Sequence, residues 1–376
     1  MMKKLIKKIT AMILAGVMAA NAGVNAWAEK PGEDRITENE LFLDCFIEDA
    51  VKTALIMSGS QEGNYTISNL IPIYDFETGK SNGQKKALII SGNRVFAELD
   101  IWTDGDQYYS SFCETENNPV DPFINGNDAL CYGVYQDSLW LCVNNTSFYH
   151  ADSFIEVEAP ANIECLSLPI EVEQNIKLDA NDPQACAIDD KIVLSVTHQA
   201  NDKSPGATDW NLCWAACIAM KVNYLKNTQY TAISLYNYLI QNNMDYDGSG
   251  DCVKKAYKSF GIDIEFYGNA QNQYLWNMLE NNQPFDVAIK GERSDGKTEY
   301  HQVLVCGMAK GSTGIAYRFD CPNSKAKKVV QISGDAGTLM KSMFTSLPYT
   351  DTWSYKQAGE TIDFNNVYRT FATPVS

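Results

Sequence analysis

The chain has 376 residues, 45% apolar and 20% charged, an ordinary globular composition at a length that favours two domains over one. A formal net charge of −17 argues against nucleic acid as a partner, because phosphates need a basic face. Eleven cysteines beside only three histidines, with no CxxC, argue against a structural zinc site, and no motif calls for a cofactor.

The N-terminus reads as a secretory signal peptide. "MMKKLIKKIT" is its basic segment, "AMILAGVMAANAGV" a short apolar core, and Ala26-Trp27-Ala28 a small-x-small cleavage site that assigns residues 1–28. The apolar core is too short to span a bilayer, and no later run reaches the roughly 18–20 apolar residues a membrane helix needs. Export permits disulfides, but an odd number of cysteines leaves at least one thiol over.

Residues 29–190 read as an accessory helix-plus-sheet region. "ENELFLDCFIEDAVKTALIM" has helical spacing. "KKALIISGNRVFAELDIWTDGDQYYSSF" alternates around two tight turns, Ser91-Gly92-Asn93 and Thr103 to Asp106, and predicts consecutive antiparallel strands. "SLWLCVNNTSFYHADSFIEVEAP" adds two more. The acidic stretch from Val172 to Asp190, broken by Pro183, reads as a linker, and a second domain, 191–376, starts beyond it.

The second domain opens on four helix-like segments, "NLCWAACIAMKVNYL", "TAISLYNYLIQNN", "DCVKKAYKSF" and "NQYLWNMLEN". Thr231 is placed to cap the second and Gly261 to stop the third. Three strand-like runs follow, "PFDVAIKG", "HQVLVCGMA" and "GIAYRFDCP". Helices followed by antiparallel strands predict an α+β domain.

Within it the scarce residue types can be assembled into thiol chemistry. A nucleophilic cysteine needs a site that favours its anion, an imidazole to exchange its proton, a group to orient that imidazole, and donors for an oxyanion. Cys213 falls in the first turn of a helix if Asn211 or Asp209 caps it, and there unpaired N–H groups favour an anion. Cys217 lies one turn deeper and reads as a packing thiol or a disulfide partner. Of the three histidines, His150 lies in the first half, His198 just ahead of the helix, and His301 at the start of a strand. Asp320, at the end of the next strand, is placed to orient the His301 ring. The Cys213 amide and a side-chain amide, Gln199 or in reserve Asn211, would face the oxyanion. Tyr224, Tyr236, Tyr238 and Trp276 read as core, and Trp353 as packing or a shield over the imidazole.

"NLCWAAC", "HQVLVCGM" and "FDCP" together resemble the papain-like cysteine peptidases, especially bacterial peptidase C39-like domains and related avirulence-effector proteases, over residues 192–355. The resemblance implies a papain-like α+β domain, N-terminal helices packed on an antiparallel sheet, preceded by a smaller α+β pro-domain. It implies Cys213 as nucleophile, His301 as general acid and base, Asp320 as orienter and Gln199 as oxyanion donor. It further implies a secreted endopeptidase made as a zymogen, with a protein or peptide substrate and the N-terminal region as intramolecular inhibitor. Two features depart from the family pattern: "NDKSPGATDWNL" separates Gln199 from Cys213, and Cys321 splits the Asp–Pro pair. A non-catalytic binding module, or a Cys-His-Asp acyltransferase of transglutaminase type, would carry the same residues.

Overall fold

The computed structural model describes residues 38–334 apart from 61–62, 105, 117, 125, 127, 136–137, 152–154, 158–166, 179–187, 208–210, 269, 293–295, 312 and 325–326, and then residues 354–357 and 360–372. The expected signal peptide and Trp353 lie outside them. Helix α1 (Glu38–Ser58) matches its apolar spacing. Strands β1 (Gly63–Ser68), β2 (Ile71–Asp75), β3 (Lys80–Ser91), β4 (Arg94–Asp104) and β5 (Gln107–Glu114) follow. The β3–β4 turn closes at Gly92, whose φ of 64° lies in the left-handed region that glycine enters without strain. Then come β6 (Ala129–Tyr135), β7 (Ser138–Val143), β8 (Ser147–His150), β9 (Glu156–Val157), β10 (Leu168–Pro169), β11 (Val172–Leu178) and β12 (Ile188–Val193). The expected linker is therefore strand at both ends: β11 runs antiparallel to β1, and β12 to a strand far downstream.

The four helices fall where periodicity put them: α2 (Cys213–Lys226), α3 (Ala232–Gln241), α4 (Gly250–Ser259) and, after β13 (Glu265–Tyr267), α5 (Asn272–Glu280). Thr231 caps α3 through a reciprocal pair with Ser234, satisfying amides the helix leaves open. The remaining strands are β14 (Phe285–Glu292), β15 (Thr298–Gly311), β16 (Gly314–Asp320), β17 (Lys328–Ser333), β18 (Ser354–Gln357) and β19 (Glu360–Ala372).

Among the described residues all nineteen strands join one hydrogen-bonded network, antiparallel except where β2 meets β6. The expected papain-like arrangement, with helices on a sheet of its own behind a smaller α+β pro-domain, is overturned here. Strand outweighs helix, and β17 pairs with β5 from Lys328↔Cys113 to Ile332↔Tyr109, so the two halves share one sheet. The physical reason is burial. All six residues of β17 are enclosed, so both of its edges must find backbone partners; β16 supplies one and β5 the other. The halves also share a core, since Val51, Ala54 and Leu55 of α1 pack with Ala309, Ala316 and Val329.

The pleat of β14 and β15 sorts their side chains to two faces. Asp286 lies opposite Leu304 and Ala288 opposite Gln302, on the face that receives α2, α3 and α4. Val287, Ile289, Val303 and Val305 form the other face, packed with Leu275, Trp276 and Leu279 of α5.

Candidate active site

Helix α2 begins on Cys213. Its N-cap is Leu212, which offers no side-chain acceptor; Asn211 turns away to Ser204, and Asp209 lies outside the described residues. No side chain among the described residues caps the first-turn amides, and those of Cys213 and Trp214 face the half-buried Cys213 sulfur. Burial nevertheless dominates and pushes its thiol up to about 11. The Gln302 and Trp214 amides pull the other way, and the Cys321 sulfur adds to the rise. The site holds a thiol, with a backbone donor from β15 ready for a thiolate. Cys217, fully buried one turn deeper, donates to the Gln302 carbonyl at 3.3 Å and is a packing thiol.

The other expected residues divide between the two faces. His301 lies opposite Ile289 on the α5 face, where its Nε2 sits 3.3 Å from the Cys321 sulfur. Burial, with help from the Lys328 charge, holds its pKa down to about 3, so the ring stays neutral. Asp320 lies opposite Leu304, on the α2 face. Its carboxylate meets not His301 but His198, with Oδ1 2.6 Å from the ring Nδ1. The structure thus brings Asp320 to the helix carrying Cys213 and joins His301 to Cys321.

Gln199 is half-buried in the segment leading to this site. The insertion separating it from Cys213 is closed at its base, where the amides of Asn211 and Leu212 both donate to the Asp202 carbonyl at 3.1 Å. Asp202 is thereby held at the helix start despite the inserted length. Asn211, spent on Ser204, is not available as the reserve donor. His150 packs against Trp140 in the first half, and Tyr236 and Trp276 are buried in core, as their types suggested.

Sequence reasoning passed over a buried ionic group beneath the site. Lys221, Asp286 and Tyr257 are all fully buried. The Tyr257 hydroxyl donates to Asp286, and the Lys221 ammonium lies 5.1 Å from the Tyr257 ring centroid. Burial lowers Lys221 to about 8 against the pull of Asp286. It raises Asp286 to about 6 against Lys221, Tyr257 and the Gln302 side chain. The signals were a lysine eight residues after Cys213 on an otherwise apolar face, and an aspartate inside the apolar run "PFDVAIKG".

Among the described residues no group of acidic, His and Cys side chains could hold a metal ion, and no helix is long and apolar enough to cross a membrane. No protein-family model and no curated protein matches the chain.

Proposed function

We propose that the chain is an exported cysteine endopeptidase made in a latent form, with Cys213 as its nucleophile. One observation carries the reading: Cys213 opens a helix whose free amides and the Gln302 N–H surround its sulfur, on the sheet face that also holds a carboxylate–imidazole pair. In the reaction an imidazole accepts the thiol proton and the thiolate adds to the peptide carbonyl. The Cys213 amide and the Gln199 side chain hold the oxyanion. The imidazolium then protonates the departing amine, leaving a thioester that water cleaves.

A thiol pushed up to about 11 by burial is in its unreactive form, as latency requires. The N-terminal half supports the same state, since α1 and β5 cover strands of the half that carries Cys213. The full chain is expected to convert itself to a fragment beginning near residues 186–200, and Cys213→Ala to abolish conversion. A thiol-directed epoxide should label Cys213 in the converted protein. Labelling of other thiols with Cys213 untouched would end the peptidase reading.

A further inference from the structure

We propose that His198, oriented by Asp320, is the imidazole that exchanges the proton with Cys213; this rests on the peptidase reading above. Three observations place it there. First, the segment holding His198 runs along the start of α2. Val196 packs on Cys217, Met220 and Leu304, and the Asp202 carbonyl takes the amide of Leu212, the N-cap. In the chain His198 lies between these two anchors. Second, a carboxylate only accepts hydrogen bonds, so with Asp320 at 2.6 Å the neutral ring carries its proton on Nδ1. Nε2 then keeps its lone pair; it is buried and has no hydrogen-bond partner among the described residues, Cys213 included, so in the latent chain base and thiol are not yet engaged. That is the tautomer a general base needs. Third, the register puts Asp320 opposite Leu304 on the face of α2, whereas His301 lies opposite Ile289 on the face of α5. One strand cannot turn neighbouring side chains to the same face without a bulge, and the β15–β16 irregularity begins only beyond Val305.

The segment is also fixed at its far end. The Asn201 amide donates to the Pro322 carbonyl at 2.8 Å, and its side chain to Asn323 at 2.7 Å. The His198–Asp320 bond therefore belongs to a strap joining the approach to α2 with the end of β16. In the proposed step the Cys213 S–H bond breaks and its proton passes to Nε2 of His198. A thiolate and an imidazolium result, the latter holding Asp320 through Nδ1–H.

The test is the rate of Cys213 alkylation by iodoacetamide, read by mass spectrometry of its peptide from pH 4 to 10, in chain cut at a protease site engineered within 179–187, which opens variants that cannot convert themselves. The wild type should react at pH 5–7 well above the rate of an isolated thiol. His198→Gln and Asp320→Asn should each lose this acid limb by about 100-fold, and the double variant should lose no more. Both should still react at pH 10, which shows the thiol in place; circular dichroism of each variant reports folding, and His198→Asn serves if His198→Gln unfolds. His301→Gln should keep the acid limb. A limb lost in His301→Gln but kept in His198→Gln, or no limb at all, overturns the assignment of His198. The peptidase reading then stands or falls separately, on whether Cys213→Ala stops self-conversion.

Discussion

Replacing Lys221 by Met should destabilise the protein strongly at pH 8 and weakly at pH 5. Lys221 and Asp286 are fully buried, so each charge costs desolvation that the other, with Tyr257 and the Gln302 side chain, offsets. Asp286 has its folded pKa raised from 3.8 to about 6. A raised carboxyl contributes stability that is full below pH 3.8 and lost as pH climbs through about 6. Two pH units at 1.36 kcal/mol each make that loss about 3 kcal/mol. Lys221, lowered from 10.5 to about 8, carries a similar cost in its charged form, so both charges are borne together between about pH 6 and 8. Removing Lys221 strands the carboxylate, at about 3–5 kcal/mol. Because Lys221 is the largest influence holding Asp286 down, the carboxyl then titrates above 6 and the penalty recedes on acidification. Lys221→Met with Asp286→Leu should recover most of the loss. Urea midpoints by tryptophan fluorescence at pH 5 and 8 provide the measurement. A penalty of equal size at both pH values, or a double variant as unstable as the single, would refute the reasoning.

Other expectations follow from the same structure. His301 is buried with its pKa lowered to about 3, so it contributes stability that is full above pH 6.5 and disappears as pH falls towards 3. His301→Gln should flatten acid unfolding in that window, seen as a smaller difference between urea midpoints at pH 4 and 7 than the wild type shows. Gly248→Ala should disturb the site from outside it: φ is 72°, and an added Cβ would lie 2.7 Å from Trp214 Cδ1 and 2.8 Å from Nε1. The left-handed backbone alone costs about 1–2 kcal/mol. A changed tryptophan emission should accompany a changed Cys213 alkylation rate; neither changing would count against the packing described. Thr231→Ala should cost about 1 kcal/mol through loss of the α3 capping box, read as a lower urea midpoint. Finally, cleavage at a protease site engineered within 179–187 should leave the two pieces co-eluting on gel filtration in native buffer. The α1 residues are buried against Ala309 and Ala316, and β5 pairs with β17. Separation without denaturant would show that core to be weaker than its burial suggests.

That last expectation bears on latency. In the proposed latent form, an N-terminal half that lends a helix and a strand to the rest of the core would not be shed by one cut, because its departure would expose β17 along a whole edge. Cleavage would instead act locally, by freeing chain near the site.

The sequence by itself determined what local physics controls. Helices α2 to α5 follow from 3.6-residue spacing. Thr231 is a cap because a hydroxyl there meets open amides, and Gly261, with φ of 69°, follows α4 as a stop. Cys213 could be singled out from Cys217 because one helical turn separates an open first turn from a buried second. The alternation of His301, Val303 and Val305 against Gln302, Leu304 and Cys306 was equally legible. Which of those faces would receive α2 was not, since periodicity separates faces without naming what covers them. Only the tertiary structure decided that α2 covers the Gln302 face, which sends His301 to Cys321 and leaves Asp320 to His198. The joining of β5 to β17, more than two hundred residues apart, was likewise beyond reach, because strand pairing depends on edges and burial contributed by the rest of the chain.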